Sequence, residues 1–98
     1  MSVARRVLTR RMALDHAEFR RCLAPLARRY PITERNGEIQ LRLPTGRVRL
    51  RLGPVTERRL GSLALPQTEV TLELEAVPAA GAEAFLADFD RAFQRGGG

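Results

Sequence analysis

Four arginines, Arg42, Arg47, Arg49 and Arg51, alternate along one stretch of the chain with Leu41, Leu43, Val48, Leu50 and Leu52. In an extended backbone that alternation turns the apolar side chains to one face and the guanidinium groups to the other. A guanidinium is a flat, permanently charged fork of donors that fits phosphates and carboxylates. The pattern therefore points to binding of an anionic ligand or a protein partner. Two plainer causes compete with it. All seventeen basic residues are arginine, beside much Ala, Leu, Gly and Pro, which fits the codon usage of a GC-rich genome better than selection for a ligand. The last strand of the same sheet also turns Glu69, Glu73 and Glu75 outward. If the strands follow sequence order, a strand around residues 59 to 65 separates these glutamates from the arginines, with Ser62 and Ala64 outward. Two strand spacings, about 10 Å, lie within the combined reach of Arg and Glu. Such a salt-bridge lattice neutralises itself and binds nothing.

The remaining reactive residues do not assemble a catalytic site. Cys22 and His16 are six residues apart, about 240° around a helix, and cannot touch. Cys22 falls on an apolar stripe and reads as a small hydrophobe, while His16 opens a helix in solvent. One histidine and one cysteine leave no metal cage. Asp15 and Glu18 are spaced for helix capping, and Asp88 with Arg91 is an ordinary surface pair. No Gly-rich loop sits between a strand and a helix, so neither a phosphate cradle nor any cofactor is expected. All four Phe lie on core stripes, which leaves no stacking platform for bases. Nucleic-acid binding reduces to weak, sequence-independent phosphate contacts from the Arg pairs. The ending Arg95-Gly96-Gly97-Gly98 resembles the slender tail of sulfur-carrier and ubiquitin-like proteins. In those proteins a strand leads into the tail, whereas here a helix bearing Phe89 and Phe93 does. The plainer reading is a helix stop at Gly96 and a flexible glycine end.

These residues belong to a chain of 98 amino acids with a formal charge of +6 and 44% hydrophobic residues. That size gives one domain spanning residues 1–98, and that apolar fraction is enough for a folded core. A single cysteine excludes an internal disulfide and suits a reducing compartment. No apolar run approaches the roughly 20 residues of a membrane span, and the first residues lack the core of a signal peptide. The expectation is a cytoplasmic, non-enzymatic domain that does not engage membranes.

Residues 3 to 13 are either a first strand or a loose basic arm. Asp15 and Glu18 form a capping box, and Leu14 and Phe19 a hydrophobic staple, so a helix begins at His16. Its stripe is Phe19, Cys22, Leu23, Leu26 and Tyr30, with a kink or early end at Pro25. Ile39, Leu41 and Leu43, the turn Pro44-Thr45-Gly46, and Val48, Leu50 and Leu52 form a hairpin. A strand over 59 to 65, a turn at Pro66-Gln67 and a strand with Val70, Leu72, Leu74 and Ala76 inward follow. Ala82, Phe85, Leu86, Phe89 and Phe93 mark a final helix. The sum is an α+β, two-layer sandwich, an antiparallel meander of about four strands with both helices on one face. The stretches Arg58-Arg59-Leu60-Gly61-Ser62-Leu63-Ala64-Leu65-Pro66 and Phe89-Asp90-Arg91-Ala92-Phe93-Gln94-Arg95-Gly96-Gly97-Gly98 resemble a group of small uncharacterised bacterial proteins. The resemblance implies no activity and transfers no site residues.

Overall fold

The computed structural model describes residues 5–96. Its elements are β1 (Arg5–Met12), α1 (His16–Leu23), β2 (Ile32–Arg35), β3 (Glu38–Arg42), β4 (Arg47–Leu52), β5 (Thr56–Leu60), β6 (Leu63–Glu75) and α2 (Ala79–Gly96). A 3-10 turn, Ala24–Arg28, follows α1. The strands form an antiparallel sheet in the order β1-β6-β4-β3-β2, and β5 pairs with the first residues of β6. The fold is α+β, with six strands where about four were expected.

Local chemistry starts α1 where the sequence demands it. The Asp15 carboxylate accepts from the Glu18 amide at 2.8 Å, and the Asp15 amide donates back to the Glu18 side chain at 3.3 Å. Leu14 and Phe19 are both buried beneath this cap. Pro25 has no N–H for the carbonyl four residues earlier, so the α-helix ends at Leu23 and the chain tightens into the 3-10 turn. Asn36 and Gly37, at φ of 53° and 78°, then make a two-residue turn of the type that matches strand twist, joining β2 to β3. In the next turn Gly46 lies against the backbone of Ala76, where a Cβ would stand 2.4 Å from the Ala76 carbonyl oxygen. Only glycine lets the β3–β4 turn approach the end of β6 so closely.

The core lies between one sheet face and both helices. Ile39, Leu41, Val48, Leu50, Val70, Leu72 and Leu74 pack from the sheet against Phe19, Leu23 and Leu26 and against Phe85, Phe89 and Phe93. Phe89 and Phe93 stack at 4.6 Å between ring centroids, and Phe93 reaches Phe19 at 4.9 Å. Residues 5 to 12 form an edge strand on β6.

Two expectations fail together downstream of β4. Residues 59 to 65 are not one strand, because Gly61 and Ser62 turn the chain between Leu60 and Leu63. Pro66-Gln67 is not a turn, because both residues lie inside the thirteen-residue β6. A two-residue hairpin loop closes on a hydrogen-bonded pair, so alternate residues of β6 direct their amides toward β5. Pro66 falls on the other set, where its missing N–H costs no ladder bond. A second consequence is topological. β4 and β5 follow one another along the same edge of β6, interrupted at Gly53, whose amide still donates to the Glu69 carbonyl at 2.8 Å. No strand separates the Arg hairpin from the Glu strand.

Candidate functional site

The sheet face opposite the helices carries the charge. Arg5 and Arg11 come from β1, Glu69, Glu73 and Glu75 from β6, Arg47, Arg49 and Arg51 from β4, and Glu38, Gln40 and Arg42 from β3. The direct β4–β6 register sets Arg47 across from Glu75 and Arg49 across from Glu73. Arg47 Nε donates to Glu75 at 2.7 Å, and Arg51 Nε donates to Glu38 at 2.9 Å. These bonds hold Glu75 and Glu38 below the usual carboxylate range, and for Glu38 a bond from Gln40 adds to the effect. Arg51 also lies 3.8 Å from Glu73, and Arg5 pairs with Glu73 from the other side.

Arg49 sits in the middle of this lattice. Its Nε is 3.6 Å from Glu75 and 3.9 Å from Glu38, close enough for ion pairing but without hydrogen-bond geometry. Glu73 Oε2 is likewise buried and touches Arg5 only as an ion pair. The centre of the face is thus closed by its own side chains. The expected lattice exists, through immediate neighbours rather than across an intervening strand.

The corner at Arg42 differs. Arg42 is exposed and stands directly across from Arg47 in the β3–β4 register, and among the described residues no carboxylate lies within 4 Å of it. Like charges directly opposite on neighbouring strands destabilise the pairing. Pro31, Thr33, Gln40, Leu41, Arg42 and Arg47 line a shallow hollow of about 300 Å3 there. Of the four arginines singled out in the sequence, Arg49 and Arg51 are engaged on two glutamates each and Arg47 on one, whereas Arg42 is unengaged among the described residues.

The helix side holds a polar node that sequence spacing did not reveal. Asp88 is buried rather than a surface partner of Arg91 alone. It accepts from the Tyr30 hydroxyl at 2.6 Å, from Arg29 at 3.0 Å and from Arg91 at 3.2 Å. Burial, and then the bond to Asp88, push the Tyr30 phenol up to about 12. The same bond from Tyr30, with the charges of Arg29 and Arg91, holds Asp88 low. Fifty-eight residues separate Tyr30 from Asp88. No local pattern encodes such a contact; the one available hint is an aspartate inside an apolar helix stripe.

His16 is not simply solvated, since its Nε2 lies 2.7 Å from the Gly53 carbonyl and ties α1 to the end of β4. Cys22 is half-buried and lines an open groove of about 520 Å3 between the two helices, far from any hydrogen bond to His16. All five aromatic rings, Phe19, Tyr30, Phe85, Phe89 and Phe93, are buried, so none of them is presented as a stacking platform. Gly96 is the last residue of α2, and the rest of the glycine ending, Gly97 and Gly98, lies outside the described residues. Among the described residues no group of three His, Cys, Asp or Glu side chains is placed to hold a metal ion, and no helix is long and apolar enough to cross a membrane. Neither protein-family models, nor curated proteins, nor solved structures give a match to the chain.

Proposed function

We propose that this is a non-catalytic interaction domain that captures an anionic partner, a protein or a smaller ligand, at the Arg42–Arg47 corner of its outer sheet face. The observation that carries the reading is the cross-strand arginine pair. Arg47 already holds Glu75, so the charge left uncompensated is that of Arg42, and a carboxylate or phosphate placed between the two guanidinium groups would offset it. Thr33 and Gln40 flank the same hollow and supply neutral hydrogen-bonding groups. Arg49 and Arg51 then serve as a frame, because their charge is already taken up by Glu38, Glu73 and Glu75.

Affinity capture from native cytosol with the wild type, Arg42→Glu and Arg51→Glu proteins tests the reading. Capture is lost in Arg42→Glu and retained in Arg51→Glu. Equal capture by wild type and Arg42→Glu would refute it. A steep fall with salt that is indifferent to Arg42 would instead mark general phosphate attraction.

A further inference from the structure

The β5–β6 hairpin continues past the ends of β1 and β4 as a two-stranded arm, in a molecule 52 Å long and 26 Å wide. Every residue of β5 is exposed. Leu60, Leu63 and Leu65 share one face of the arm by register, and they are 49%, 62% and 37% exposed. A lone two-stranded ribbon is marginal in water, and one face of three bare leucines makes it more so.

The two edges of this arm are unlike. On the β6 edge, Pro66 occupies an outward-facing position and offers no donor, so that edge is closed to strand addition. On the β5 edge, the hydrogen-bonded closure at Leu60 and Leu63 leaves the amides and carbonyls of Glu57 and Arg59 facing outward. Among the described residues no strand pairs there.

We infer that two copies of this chain associate through the β5 edge, antiparallel, about a two-fold axis at Arg58. That register sets Glu57 of each copy across from Arg59 of the second copy. The two outward-facing residues thereby become hydrogen-bonded pairs of opposite charge. The pattern Glu57-Arg58-Arg59 is self-complementary in both respects, because its donors and its opposite charges fall on the same two residues. Within one chain Glu57 and Arg59 already lie 3.5 Å apart, so each copy brings a preformed ion pair to a four-charge cluster. The result is a four-stranded sheet of two arms. Extended by two residue pairs, the register carries the Gly61 turn of one copy beside Val55 of the second copy, an apolar side chain that is 44% exposed. Arg58 meets its own counterpart at the axis, a like-charge contact that weakens the association.

Analytical ultracentrifugation of the full chain provides the test. Wild type sediments as a concentration-dependent mixture of the 11.0 kDa chain and its dimer. Glu57→Arg alone and Arg59→Glu alone each sediment as monomers, because each sets like charges across the axis. Mixed one to one, the two variants recover a dimer that contains one of each. Arg58→Thr tightens the wild-type dimer several-fold. Arg59→Pro, which removes an edge donor at a position where the hairpin does not use it, stays monomeric with an unchanged far-ultraviolet spectrum. A wild-type chain that remains monomeric at millimolar concentration overturns the proposal. So does a dimer indifferent to both single reversals, or a mixture of the two variants that remains monomeric.

Discussion

Strand β6 passes through two environments in thirteen residues, and the contrast between them explains most of what this molecule presents to solvent. From Thr68 to Glu75 it is flanked by β1, and from Val70 also by β4; one face lies on the phenylalanine core and the other under a mat of arginine and glutamate. From Leu63 to Gln67 it is paired on one edge alone, with Leu63, Ala64 and Leu65 exposed and Pro66 and Gln67 half-buried. Val70, Leu72 and Leu74 are almost fully buried, while Leu63 and Leu65 of the same strand are exposed. The alternation of apolar and polar residues reports which way side chains point, not whether anything covers them.

The largest effect expected from this contrast is in stability. Leu72→Ala empties a site fully enclosed by the core and should cost about 2–5 kcal/mol in urea unfolding. Leu63→Ala, on the arm, should stay within about 0.5 kcal/mol at monomeric concentrations. A comparable loss at both positions would mean that the arm is buried in solution.

Next in size is the polar node on the helix side. Tyr30 is the single tyrosine and the chain has no tryptophan, so its ultraviolet titration is free of overlap. The phenol should ionise near 12 rather than near 10, and Asp88→Asn should bring it part of the way back, since burial remains when the carboxylate charge is gone. A phenol raised in the folded state favours folding fully below pH 10, and that contribution is lost as pH rises from 10 through about 12. Ionisation near 10 in the folded protein would show that Tyr30 is neither buried nor bonded to Asp88.

The charged face should respond at the opposite end of the pH scale. Glu38, Glu75 and Asp88 are all held below their ordinary values, so their contribution is present above the unfolded carboxylate range and is lost as pH falls through the depressed values. Urea midpoints should therefore drop as acid protonates these groups. Glu75→Gln should flatten part of that slope. An acid slope identical in wild type and Glu75→Gln would contradict the assignment.

The smallest effect is the most telling for function. Arg42→Thr removes one of two opposed like charges and should raise stability by a few tenths of a kcal/mol while abolishing partner capture. Gain of stability with retained capture would separate the opposed arginines from binding.

The elements legible from sequence were those specified by neighbours in the chain. The Asp15–Glu18 capping box, the Pro44-Thr45-Gly46 hairpin and the Phe85–Phe89–Phe93 stripe are complete within a few residues, and each appears where its spacing places it. Two short turns also carry their signal locally: Asn36-Gly37, the strongest two-residue hairpin signal, and Gly61-Ser62, which divides residues 59 to 65 between two strands. Pro66 read as a break because proline usually ends a ladder, yet its position directs the missing donor to an edge with no partner. The adjacency of β4 and β6, on which the whole charge lattice depends, is a long-range fact without local signature. The same holds for Asp88 beneath Tyr30. As for the site, the sequence identified the arginine face and its glutamate counter-charges but could not tell Arg42 from Arg49, because that distinction rests on which strand lies beside which.

Nitrogen-15 NMR of the arginine side chains during titration with a Glu-rich peptide, and separately with inorganic phosphate, tests this distinction most directly. The account predicts that the Nε resonance of Arg42 moves with either probe while those of Arg47 and Arg51, hydrogen-bonded to Glu75 and Glu38, respond less. Movement centred on Arg49 and Arg51, with Arg42 unchanged, would contradict it.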